Sequence, residues 1–135
     1  MGAWYWIGVL AGIGTSLGVF AVALVGRLVV GLVVAAVIAA AIGLAVLGWP
    51  EAVGGAVGGI CGSAGAAPIV AGALRRGGTR GATATLLGLA SLLGAGFAFI
   101  PVVGYLEALA VPVLGLRARR RTPDRHAGLR TLARD

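Results

Sequence analysis

The chain has no lysine, asparagine or glutamine, and its 135 residues include one cysteine, one histidine and four acids. The lone cysteine, Cys61, excludes an intrachain disulfide and a cysteine-based metal set. His126, Asp124 and Asp135 all fall in the polar C-terminal stretch, away from the apolar segments. No Ser/His/Asp, Cys/His or paired-carboxylate constellation can be drawn within those segments, so the residues point away from an enzyme and from any metal or cofactor. Charge is scarce as well. Charged residues make up 11% of the chain, against about 25% in soluble domains. Hydrophobic residues make up 59%, and an aqueous fold of this size cannot hide that much apolar surface. The solvent is a bilayer.

The cations present are all arginine, and they give a net charge of +7. In a soluble domain that balance would suggest nucleic acid. Here the arginines cluster at the ends of apolar segments, as topology signals and contacts for anionic lipid headgroups. Arg75, Arg76, Arg80, Arg117, Arg119, Arg120 and Arg121 are the residues in question. Lysine and asparagine use AT-rich codons, whereas the abundant alanine, glycine and arginine use GC-rich ones. The composition therefore fits a GC-rich bacterial genome and a multi-pass protein of the cytoplasmic membrane. Ala21-Val22-Ala23 follows an apolar run, but the residues before that run carry no positive charge, so cleavage as a signal peptide is not expected.

Arginine, proline and tryptophan divide residues 1–116 into apolar segments at about 7–26, 28–48, 51–74 and 82–116, followed by a basic tail, 117–135. The first three are near the ~20 residues that cross ~30 Å of hydrocarbon. The last is about 35 residues, or about 52 Å as one helix, which is too long for a single span. Pro101 with Gly104 behind it favours a turn, splitting the run into 82–100 and a shorter returning or re-entrant helix, 102–116. Arginine placement requires the same reversal. Arg27 and the Arg75–Arg80 loop share a side, and only a turn brings Arg117–Arg121 back to it. Trp4, Tyr5, Trp6, Trp49 and Tyr105 then fall at the opposite interface. The expected fold is an all-α integral membrane protein. It is a compact Gly/Ala-rich bundle of four transmembrane helices plus a short fifth, with its N-terminus outside and its C-terminus inside. Beyond Arg121, Thr122-Pro123-Asp124 reads as a helix start, with Leu129, Leu132 and Ala133 on one face, or as the beginning of a solvated tail.

Within the segments, Gly54, Gly58 and Gly62 recur every four residues, with Gly55 and Gly59 offset by one, and Gly8/Gly12 and Gly14/Gly18 repeat the spacing. Such stripes let another backbone approach closely, inside one protomer or between two. Glu107 is the one acid well inside an apolar segment, about 9 Å below the Pro101 turn at 1.5 Å per residue. At that depth it is either an interfacial carboxyl or a candidate ion or proton site. Thr15, Ser16, Cys61, Ser63 and Ser91 fall at comparable depths, either as a polar track beneath it or as hydroxyls bonded to the backbone. Pro68 and Pro112 kink or break their helices. "RRGGTRG", Arg75 to Gly81, offers arginines and backbone N–H groups to a phosphate, without the Lys-Ser or Lys-Thr pair of a nucleotide-binding loop.

Two functions fit. One is a non-catalytic membrane scaffold or accessory component, packed through glycine faces against itself or a larger membrane partner. The other is a small homo-oligomeric channel or transporter with Glu107 as its ionisable site. The reversal near Pro101 is open to test by single cysteines placed at Tyr105 and Thr122 in a Cys61→Ser background. Impermeant maleimide should reach the first from outside and the second from inside, and labelling of both from one side would mean a single span.

Overall fold

The computed structural model describes residues 2–100 and 102–120. Met1, Pro101 and everything from Arg121 onward, including the expected tail helix, lie outside the described residues. Those described form five helices and no strand: α1 (Ala3–Val25), α2 (Leu28–Val46), α3 (Trp49–Arg75), α4 (Arg80–Phe97) and α5 (Val103–Arg120). Three of them, α1, α2 and α3, are long and apolar enough to cross a membrane.

Each connection is made by residues suited to it. Gly26 closes α1 in the left-handed region (φ 68°) and donates its N–H to Val22 O at 2.8 Å. Gly48 (φ 149°) links α2 to α3, where Pro50 in the first turn lacks an N–H the helix has no use for there. Thr79 caps α4 by accepting the Ala82 N–H at 3.2 Å. Between α4 and α5, Val103 N–H reaches back to Ile100 O at 3.1 Å, and Val102 sits at φ 71°. That φ is strained for a β-branched residue.

The helices alternate in direction. A Cβ on Gly54, Gly58 or Gly62 of α3 would strike the carbonyls of Ile7, Ala11 or Thr15 on α1, in matching order, so α1 and α3 run parallel. Gly104 meets Gly8, and Glu107 meets Gly12, which makes α5 parallel to them too. On α2, Ala39 faces Gly55 and Ala35 faces Gly59, the order reversed. Helix α4 likewise runs against α1, from Arg80 beside Gly26 to Ala98 beside Gly12. The chain therefore reverses between Ile100 and Val103. Trp4, Tyr5, Trp6, Trp49 and Tyr105 gather at one end of the bundle, and the described arginines gather at the other.

The fifth helix differs from the sequence expectation. It is not short: it has 18 residues, as many as α4, and continues past Leu116 through Arg117, Arg119 and Arg120. Arginine is a good helix former, and cations in a last turn complement the helix dipole. Pro68 and Pro112 break neither helix; α3 and α5 run through them.

Packing is by small residues. Helix α3 is in backbone contact on three sides: Gly54, Gly58 and Gly62 against α1, Gly55 and Gly59 against α2, and Gly65 against Val111 of α5. The buried residues of α2 are Gly31, Ala35, Ala39 and Gly43, spaced by four, while Val29, Val33 and Val37 face outward. This inside-small, outside-large arrangement suits a lipid solvent. Lipid gives no hydrophobic drive for helices to meet, so close van der Waals contact must hold them together.

Gly58→Ala forces a Cβ into the α1 backbone, whereas a Cβ on Gly96 of α4 meets nothing within 4 Å. The first substitution should destabilise the detergent-solubilised protein by about 1–3 kcal/mol or more. The second should be neutral or stabilising by up to ~1 kcal/mol, since alanine is the better helix former. Thermal unfolding of the two variants side by side measures the difference.

Candidate functional site

Glu107 lies in the second turn of α5, level with Gly12 of α1. Gly12 is about 14 Å along α1 from Ala3, in a helix about 34 Å long at 1.5 Å per residue. The carboxyl is thus well inside the bundle. Two glycines make room for it. Its Oε2 lies 3.0 Å from where a Cβ of Gly12 would stand, and its Oε1 lies 3.6 Å from the same point on Gly94 of α4. Oε2 is buried and has no hydrogen-bond partner. An unsatisfied carboxylate in apolar surroundings costs several kcal/mol, so its presence demands a reason.

Beside it is a cleft of about 220 Å³, bounded by α1, α3, α4 and α5. Its polar lining is Glu107, Thr15, Ser16 and Ser91, and the rest is apolar, including Val19, Ile69, Leu87, Val111 and Leu114. The cleft exists because α4 packs on α1 and barely touches α3 or α5. Thr15 donates its hydroxyl to Ala11 O at 2.8 Å and Ser91 to Leu87 O at 2.7 Å, each one turn back in its own helix. Both therefore keep oxygen lone pairs for the cleft while their protons are engaged. Ser16 turns toward α4 instead, its Oγ 2.8 Å from the missing Cβ of Gly94.

Of the five polar residues read at this depth, Thr15, Ser16 and Ser91 line the cleft with Glu107, and the other two do not. Ser63 is buried at the α1–α3 contact, donating to Gly18 O at 3.4 Å. Cys61 lines a separate apolar groove of about 640 Å³ with Trp49, Val57 and Tyr105. Gly54, Gly58 and Gly62 are all covered by α1. At the aromatic end two tyrosine bonds hold α1: Tyr5 donates to Phe99 O of the α4–α5 connection at 2.8 Å, and Tyr105 of α5 donates to Trp4 O.

At the opposite end, Arg75, Arg76, Arg80, Arg117, Arg119 and Arg120 are exposed. Arg121 lies outside the described residues. Arg75 and Arg119 line a groove of about 340 Å³ with Pro68 and Leu116. In the "RRGGTRG" loop two of the three glycine amides are engaged. Gly77 N–H goes to Leu74 O and Gly78 N–H to Ala73 O, finishing α3. Sequence reasoning also passed over Glu51, which is buried in the first turn of α3. An acid directly after Trp49-Pro50 is the signal for it, since a carboxylate there complements the helix N-terminus.

Comparison with protein-family models, with curated proteins and with solved structures finds no match to this chain. What the site can do rests on its own geometry.

A lipid-soluble carbodiimide, which reacts with carboxyls reached from the hydrocarbon, should modify Glu107 in intact membranes. Peptide mass mapping checks this. Modification at Glu51 with none at Glu107 would contradict a cleft that is open to the bilayer.

Proposed function

We propose that the chain is a small multi-pass protein of a bacterial cytoplasmic membrane that binds and translocates a cation or proton at Glu107. In this reading α1 to α4 cross the bilayer and α5 returns across it, with the aromatic end outside and the arginine end in the cytoplasm. The reading rests on one observation above all: a buried carboxylate oxygen without a partner, beside a cleft lined by hydroxyls of two other helices. Ionisable groups within membrane segments are costly and rare, and those that face a bundle interior line ion and proton pathways.

The scaffold reading, which the residues favoured because it needs no special side chain, has the glycine faces as its means of docking. Those faces are occupied by the chain's own helices. The two α4 glycines with open space beside them, Gly81 and Gly96, do not share a four-residue spacing. The Glu107 cleft is lined by four helices of one chain. A non-catalytic role is in keeping with Thr15 and Ser91, whose hydroxyl protons are bonded within their own helices. The arginine end, including the Arg75–Arg119 groove, suits anionic headgroups of the inner leaflet.

The test is proton flux in proteoliposomes carrying an internal pH-sensitive dye. Wild type should dissipate an imposed pH gradient when a counter-ion path is supplied, and Glu107→Gln, close in shape but unable to ionise, should reduce flux to the level of empty vesicles. Undiminished flux in the variant, or none in the wild type with either inorganic or organic cations supplied, overturns the reading.

A further inference from the structure

We infer that the ligand of the Glu107 cleft is a small lipophilic amine, bound as its ammonium form and exchanged for a proton. The inference rests on the reading of Glu107 as a cation site and adds the chemical class of the cation. Three features of the cleft carry it.

The first is the balance of donors and acceptors. The cleft offers the Glu107 oxygens and the lone pairs of Thr15 and Ser91, whose protons are held by Ala11 O and Leu87 O. Ser16 is the one lining hydroxyl not turned back on its own helix. A site rich in acceptors repels anions and suits a ligand that donates. An ammonium group carries up to three N–H donors.

The second is the wall. Val19, Ile69, Leu87, Val111 and Leu114 surround those few oxygens. A bare metal ion needs about six oxygens to replace its water. An amine needs only acceptors for its head, and its apolar body gains from the remaining wall. The volume of about 220 Å³ lies below the ~300–1,000 Å³ typical of drug-sized pockets, which points to a compact ligand.

The third is the route. Helix α4 barely touches α3 and α5, and the cleft wall between them includes Leu114, which is exposed on the outer surface of the bundle. A lipophilic amine reaches such a cleft from within the bilayer, where a hydrated ion does not go.

Coupling to protons follows from the surroundings of the carboxyl. Toward Glu107, α1 presents Gly12 and Ser16, α4 presents Gly94 and Ser91, and α3 lines the cleft with Ala66 and Ile69. On α5 itself Tyr105 is nearby in sequence, and its hydroxyl is bonded to Trp4 O. None of these groups is charged, so a single negative site is neutralised by either the proton or the ammonium. Binding of one releases the other.

The test uses the full chain in lipid nanodiscs and calorimetric titration with phenethylamine, its N,N,N-trimethyl derivative and 2-phenylethanol. Phenethylamine should saturate at one per chain with release of a proton, detected as a dependence of the heat on the buffer. The trimethyl compound, which lacks N–H donors, should bind at least about tenfold more weakly. The neutral alcohol and the Glu107→Gln variant should show no saturable binding. Ser91→Ala keeps the carboxyl and removes one acceptor, so affinity should fall about threefold to tenfold. Equal binding of the alcohol, or unchanged binding in either variant, overturns the inference. Proton flux that depends on Glu107 without amine binding would overturn the ligand class alone. Absence of both would overturn the cation site as well.

Discussion

Main-chain contact between α1 and α3 is the constraint on which the rest of this bundle depends. The chain has no asparagine or glutamine, and polar pairing between its described helices is confined to a few bonds such as Ser63 to Gly18 O and Tyr105 to Trp4 O. Lipid, being as apolar as the side chains, supplies no drive of its own. What remains is proximity, and glycine provides it in both directions: Gly58 and Gly62 receive the carbonyls of Ala11 and Thr15, while Gly14 and Gly18 receive those of Gly55 and Gly59. Once the two helices are locked in that register, α2 fits its Gly31-Ala35-Ala39-Gly43 face beside them. Helix α5 seats Gly104 on Gly8 and Gly115 on Gly65.

The same economy of side chains creates the site. Gly12 continues the α1 pattern, but the atoms it meets are Ala98, Gly104 and the Glu107 carboxyl. A methyl group there would displace the carboxylate oxygen, and one on Gly94 would press on Ser16. Helix α4 has little to join it to α3 or α5, and it rests on α1 alone with a gap behind it. Tight packing on one side of α1 and loose packing on the other thus place a lone carboxyl beside an apolar cleft. The other polar oxygens there are few: Thr15 and Ser91 are oriented by bonds within their own helices, and Ser16 turns toward α4.

Much of the architecture was legible in the residues, because arginine and tryptophan positions report segment ends directly. The five segments, the reversal between Ile100 and Val103, and the separation of aromatic from basic ends are readable at that level. The length of α5 was not, since hydropathy stops at Leu116 while helical hydrogen bonding continues through the arginines. Spacing identified the glycine stripe of α3 but not its occupant, because periodicity defines a face and says nothing about what it turns toward. The α2 stripe was hidden by alanines and valines of similar hydropathy. Glu107 stood out as an acid among apolar residues. Its companions did not sort themselves by depth alone: Ser63 and Cys61 share the depth of Ser91, but the rotation of α3 directs them elsewhere.

Whether Glu107 exchanges a proton inside the bundle can be observed directly by infrared difference spectroscopy of the protein in lipid vesicles. The acid-minus-alkaline spectrum of the wild type should carry a protonated carboxyl stretch that is missing from Glu107→Gln under identical conditions. Superimposable spectra of the two proteins would contradict a titrating carboxyl at this site.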